Sequence, residues 1–147
     1  MSAKNKDTKI HRKTAERLIE EVHQRVLQYN ADKNNPLIVR RMVVFGSYVN
    51  SDKELLSDVD IALGWDIRMP LEVIYERYVD ATSERFQIKD PSLQDIIDYV
   101  KRIALIGFRH KSAFIHLDNL DCPDERRMIL FSKYIEIPLI EYHIHKT

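Results

Sequence analysis

Leu37-Ile38-Val39-Arg40-Arg41-Met42-Val43-Val44-Phe45-Gly46-Ser47 is followed, after ten residues, by Asp58-Val59-Asp60-Ile61-Ala62-Leu63. The first run has the Val, Ile and Met content of a buried strand and stops at a Gly-Ser turn. Its neighbouring Arg40 and Arg41 mark the early part as less buried than the end. In the second run, strand alternation sends Val59, Ile61 and Leu63 to one face, and Asp58 and Asp60 to the other. A glycine turn after a strand lets backbone N–H groups and the Ser47 hydroxyl approach an anionic phosphate, because Gly46 has no Cβ in the way. Two carboxylates at i and i+2 suit Mg²⁺, a hard cation that prefers oxygen ligands. An Asp-x-Asp pair alone is usually a surface pair or a turn. Its place ten residues after a Gly-Ser turn, with apolar strands on both sides, points to nucleotide chemistry.

The flanking sequence supplies the rest of an α/β (α+β) domain, with a small mixed central sheet flanked by helices. Residues 1–13 are polar and read as a flexible lead-in. Leu18, Val22, Val26 and Tyr29 then recur at helical steps, predicting a helix over 14–29 that ends before Asn34-Asn35-Pro36. Pro70 can open a second helix, with Leu71, Ile74, Tyr75, Tyr78 and Val79 along its apolar side. Asp90-Pro91 reads as N-cap and first residue of a third, running through Ile96, Ile97, Val100, Ile103 and Ala104 to a C-terminal Gly107. Ala113 to Asp118 is expected as a strand, and Pro123-Asp124 as the start of a short helix. Ile135 to His145 is apolar enough to form an added strand or a partner surface. Without repeat or linker, residues 1–147 read as one domain.

The chain has 147 residues, with Lys plus Arg and Asp plus Glu equal at 23 each. That length can bury a core without metal or disulfide staples. The charge balance argues against a nucleic-acid-coating protein, which depends on released counterions, though a local basic patch stays compatible with it. Cys122 is the only cysteine, so no intrachain disulfide forms. Met1 to Asp7 lacks the apolar core of a secretory signal, and no apolar run approaches the roughly 18 residues of a membrane span. The expected location is cytoplasmic, with no membrane partner.

The strand expected over Ala113 to Asp118 carries two further polar side chains. Parity places Phe114, His116 and Asp118 on one face of that strand, and Ile115 and Leu117 on the other. Asp118 offers the oxygen Mg²⁺ prefers. His116 is a poorer ligand for a hard cation but can accept a proton near neutral pH. Arg109-His110-Lys111 follows a helix C-terminus, where positive charge is stabilised by the helix dipole, with phosphate or acceptor contact as the alternative. Trp65 reads as core packing rather than base stacking, and Tyr75, Tyr78 and Tyr99 as core or partner contacts. His143 and His145 read as tail histidines rather than half a zinc site. No hydrolase elbow surrounds Ser47, and neither a Walker loop nor a dinucleotide fingerprint occurs.

Gly46-Ser47, its spacing and Asp58-x-Asp60 resemble the signature of the nucleotidyltransferase superfamily that includes DNA polymerase beta. The chain is most similar to the minimal, single-domain bacterial type found in toxin–antitoxin systems. The likeness runs over roughly Leu37 to Leu120 and implies a nucleotidyltransferase-like fold. It assigns Gly46 and Ser47 to nucleotide binding, and Asp58 and Asp60, with Asp118 or His116 as third residue, to catalysis. Asp58, Asp60 and Asp118 would be the ligands of a two-metal Mg²⁺ site. The implied reaction moves a nucleoside monophosphate, first of all AMP from ATP, to an acceptor hydroxyl. Minimal members often carry arginines soon after the turn, where this chain has Tyr48, Val49 and Asn50; Lys53 or the Arg109 cluster is the available substitute. The implied partner is a protein, a helical toxin by the family likeness, or a second copy of the chain, because little sequence remains after Leu120 to build an acceptor site. The competing expectation is a catalytically decayed binding module of the same fold that masks a protein partner.

Overall fold

A computed structural model of the chain describes residues 8–139. Among the described residues the elements run β1 (Ile10–His11), α1 (Arg12–Ala31), β2 (Leu37–Phe45), α2 (Ser47–Asn50), β3 (Leu55–Leu56) and β4 (Val59–Ile67). They continue with α3 (Leu71–Phe86), α4 (Leu93–Arg109), β5 (Ile115–Asn119), α5 (Pro123–Phe131) and β6 (Ile135–Glu136). The main sheet has the order β5-β4-β2-β6. β2 runs antiparallel to β4 and β6, whereas β4 and β5 are parallel. Parallel neighbours cannot be joined by a tight turn, so the chain leaves β4, builds α3 and α4, and returns as β5. The result is an α+β fold with a small mixed sheet flanked by helices.

Alternation along the strands divides the core as the sequence predicts. Val59, Ile61, Leu63 and Trp65 of β4, with Ile115 of β5, pack against Leu18, Val22 and Val26 of α1 and Val100, Ala104 and Phe108 of α4. Each such aliphatic side chain contributes about 1.5–3 kcal/mol by leaving water. On the opposite face Val43 and Ala62 meet Leu120 and Ile129, the latter from α5. Asp58 and Asp60 have the parity of that second face, which α5 covers only in part.

β2 departs from the expected gradient of burial, since Leu37 and Val39 are already fully buried. A bulge between Val39 and Arg41 absorbs the two arginines. The extra residue reverses the parity of the strand. Leu37 and Val39 before it, and Met42 and Val44 after it, therefore all reach the helical layer. Arg40 is turned out to Asp66 at 2.9 Å, and Arg41 to Glu136 of β6 at 2.6 Å. The Glu136 hydrogen bond is the main reason the Arg41 guanidinium holds its proton even more firmly than usual.

Four local expectations are corrected. Residues 10–13, assigned to a flexible lead-in, are built into β1, which pairs with β3, and into the start of α1. Asp90-Pro91 does not cap α4. Ser92 does, because its hydroxyl accepts from the Asp95 N–H at 3.1 Å while the Asp95 carboxylate accepts from the Ser92 N–H at 2.8 Å. That reciprocal pair satisfies two N–H groups a lone cap would leave open. Gly107 lies inside α4, which ends instead at His110 in the left-handed region, φ 48°. α3 buries only Ile74 and Thr82, leaving Tyr75 exposed, so its expected apolar side is largely a surface. β6 supplies the expected added strand for two residues; His143 and His145 lie outside the described residues.

Candidate functional site

The geometry of the site follows from two pairings. In the β2–β4 ladder Phe45 stands opposite Asp60, so the chain turns at Gly46 directly against that carboxylate. Gly46 adopts φ 77° and ψ −156°, a conformation only glycine tolerates well. A Cβ at this position would overlap Asp60 Oδ2 and lie 3.0 Å from Asp60 Cγ. The absent side chain is therefore what admits the Asp60 carboxylate against the turn. Ser47 is exposed at the opening.

The turn is held from behind. Val49 and Asn50 N–H groups both donate to the Gly46 carbonyl, at 3.0 and 2.9 Å. The Asn50 side chain donates to that carbonyl at 3.0 Å and to the Lys133 carbonyl at 3.3 Å, tying the turn to the segment after α5. Arg12 is the bracing residue that sequence reading missed. Its guanidinium donates to the carbonyls of Tyr48 at 2.6 Å, Ser51 at 3.0 Å and Lys53 at 2.8 Å, and covers the Tyr48 ring at 4.9 Å. Burial and the nearby Glu16 carboxylate raise the Tyr48 pKa, and Arg12 partly offsets them. An arginine more than thirty residues ahead of the turn carries no local signal. Its hydrogen bonds also show that the Tyr48-Val49-Asn50 segment is fixed by a cation from outside it.

The second pairing sets the levels of His116 and Asp118 against β4. In the parallel β4–β5 ladder Asp60 stands opposite His116, and Ala62 opposite Asp118. His116 and Asp118 share the face of Asp60, as parity predicts, but His116 is the residue beside it. His116 Nε2 lies 3.2 Å from Asp118 Oδ1, with the imidazole largely exposed and the carboxylate mostly covered. Donation from Nε2 to Asp118 leaves Nδ1 as the acceptor on the open side. Ile115 faces the helical layer with Leu117; Phe114, ahead of the strand, also packs there and so leaves the parity of its neighbours. Among the described residues, no three His, Cys, Asp or Glu side chains converge closely enough to hold a metal ion by themselves.

The remaining expectations resolve simply. Trp65 is a core residue whose Nε1 donates to Asn119 Oδ1 at 2.8 Å, with its ring stacked on Phe108 and edge-on to Tyr29. Arg109 Nε donates to the Ser112 carbonyl at 3.0 Å, closing the turn after α4. The Lys53 carbonyl serves Arg12, and Cys122 is exposed and unpaired. No helix of the described residues is long and apolar enough to cross a membrane. Comparison of the chain with protein-family models, curated proteins and solved structures found no match.

Proposed function

We propose that the chain is a Mg²⁺-dependent nucleotidyltransferase of the minimal type its Gly46-Ser47 and Asp58-x-Asp60 motif resembles. The observation that carries this reading is the contact of Gly46 with Asp60, which brings a glycine turn and a carboxylate to one point on an open sheet face. The turn would receive the phosphates of a nucleoside triphosphate, ATP first among them. Asp58 and Asp60 would hold Mg²⁺, with phosphate oxygens and water completing the shell that this ion prefers. The metal, when bound, neutralises phosphate charge and aligns it for in-line displacement. His116, oriented by Asp118, would take the proton of an acceptor hydroxyl as that oxygen attacks the α-phosphorus and pyrophosphate departs. Asp118 as a third metal ligand is the alternative assignment. The acceptor would be a protein partner or a second copy, and an antitoxin role in a toxin–antitoxin pair follows from the family likeness alone.

A second reading is favoured by one observation: an imidazole, not a carboxylate, stands opposite Asp60. Histidine suits hard Mg²⁺ poorly, so the same fold would serve as a non-catalytic module that binds a protein partner. Thermal stabilisation by each nucleoside triphosphate, with and without Mg²⁺, tests the nucleotide site. A Mg²⁺-dependent shift that disappears in an Asp58→Asn, Asp60→Asn form is the result expected of the enzyme. No shift with any nucleotide moves the assignment to the module.

A further inference from the structure

Among the described residues β5 is the end strand of the main sheet, and two hydrogen bonds show which way its backbone faces. Val59 N–H donates to the Phe114 carbonyl at 2.8 Å, and Leu120 N–H to the Leu63 carbonyl at 2.7 Å. Alternate residues of a strand direct their N–H and C=O groups to opposite sides. Even-numbered residues from 114 to 120 therefore serve β4, and Ile115, Leu117 and Asn119 turn their backbone groups outward. They open into a groove of about 640 Å³ between β5 and α4. Its walls carry Arg85, Lys101, Arg102 and Arg109 against a single carboxylate, Asp98, in a chain whose charges balance as a whole. Lys101 is paired with Asp121 at 2.6 Å. Arg102 and Arg109 instead meet a Phe86 ring and a backbone carbonyl, contacts that leave their charge uncompensated.

A bare edge is commonly protected by charges on the edge strand itself. Here β5 presents Ile115, His116, Leu117 and Asn119 to the groove, and the cations stand across from it on α3 and α4. That arrangement receives a strand rather than repelling one. We propose that the groove binds an extended acidic segment of a partner protein, which adds to the open edge of β5. Main-chain hydrogen bonds would supply affinity, and the facing arginines the preference for Asp or Glu at alternate positions. A single-stranded nucleic acid is the less suitable occupant, because His116 is the one ring in the described groove lining and no Phe, Tyr or Trp stands there for successive bases to stack on. The proposal stands on the edge and its charges, independently of the nucleotide reading. A segment bound there would pass beside His116.

The test uses the full chain and fluorescein-labelled octapeptides with Glu at alternate positions and Val, Thr or Tyr between. Control peptides carry Lys in place of Glu, or two central prolines that remove N–H donors, and an oligothymidylate of equal charge forms the nucleic-acid arm. The Glu peptides should bind more weakly as salt rises, and both control peptides at least tenfold more weakly. An Arg85→Glu, Arg102→Glu form, both residues being exposed, should lose at least tenfold in affinity. On the unaltered chain, the Leu117 and Asn119 amides should exchange hydrogen more slowly when peptide is bound. The proposal is overturned by no binding of the Glu peptides at millimolar concentration, by equal binding of the proline peptides, or by tighter binding of the oligothymidylate.

Discussion

Gly46 and Asp60 are packed so closely across the β2–β4 ladder that a Cβ on the glycine would overlap the aspartate Oδ2. The glycine also lies at φ 77°. Gly46→Ala therefore meets a backbone cost and a steric cost together. The backbone term alone is about 1–3 kcal/mol, and the displaced carboxylate should weaken Mg²⁺–nucleotide binding as well. Urea unfolding measures the first effect and a nucleotide thermal shift the second; wild-type behaviour in both would contradict the geometry.

Asp60→Asn keeps the shape beside Gly46 and removes the charge. Nucleotide at a hundredfold excess over its dissociation constant stabilises a protein by about 2.7 kcal/mol. That stabilisation, where Mg²⁺ is required for it, should vanish in the variant while far-UV circular dichroism is retained. Persistence of the full shift would remove Asp60 from the metal site.

Because His116 rather than Asp118 stands opposite Asp60, His116→Gln should reduce transfer more than Asp118→Asn does. Loss of a general base typically costs a factor of about 10²–10⁴. The loss should fall on kcat, with KM for the nucleotide nearly unchanged. A larger effect from Asp118→Asn, accompanied by weaker metal binding, would give the third position to the carboxylate.

Buried Asn30 extends the sheet with its side chain: Nδ2 donates to the Val39 carbonyl at 3.0 Å, and the Val39 N–H donates to Oδ1 at 2.8 Å. Asn30→Ala strands both backbone groups away from water. At about 1–3 kcal/mol per unsatisfied group, a loss of about 2–6 kcal/mol is expected by urea denaturation. A loss below about 1 kcal/mol would mean that water reaches the Val39 backbone.

Tyr29 has a buried hydroxyl with no well-formed hydrogen bond among the described residues, and its pKa is pushed up to about 12, chiefly by burial, which outweighs the lowering by the nearby Leu37 backbone. The unfolded chain would ionise this phenol near pH 10. Its contribution to stability is thus fully present below pH 10 and lost as pH rises to about 12. Tyr29→Phe should change stability by no more than about 1 kcal/mol at pH 7, and should flatten the fall in stability between pH 10 and 12. An unchanged alkaline slope in denaturation experiments would show that the phenol is not the group responsible.

Elements whose signals are local were legible from the residues alone. Leu37–Phe45 reads as a strand because its apolar residues are contiguous, and Val59, Ile61 and Leu63 separate from Asp58 and Asp60 because side chains alternate on any strand. Pro123 at the first position of α5 follows from its own ring and missing N–H. At the start of α4 the same kind of reasoning chose Asp90-Pro91 and overlooked Ser92-x-x-Asp95, a capping signal that was present in the sequence. Only the tertiary structure decided which strands are neighbours and in what register. Parity allowed both His116 and Asp118 the face of Asp60, and the parallel ladder sets His116 opposite Asp60 and Asp118 opposite Ala62. Arg12 behind the Gly46 turn, Asn30 on the Val39 backbone and the open edge of β5 likewise depend on parts of the chain far apart in sequence. Periodicity reports which way a side chain points along its own strand; what stands opposite it is set by packing the whole sheet against α1 and α4.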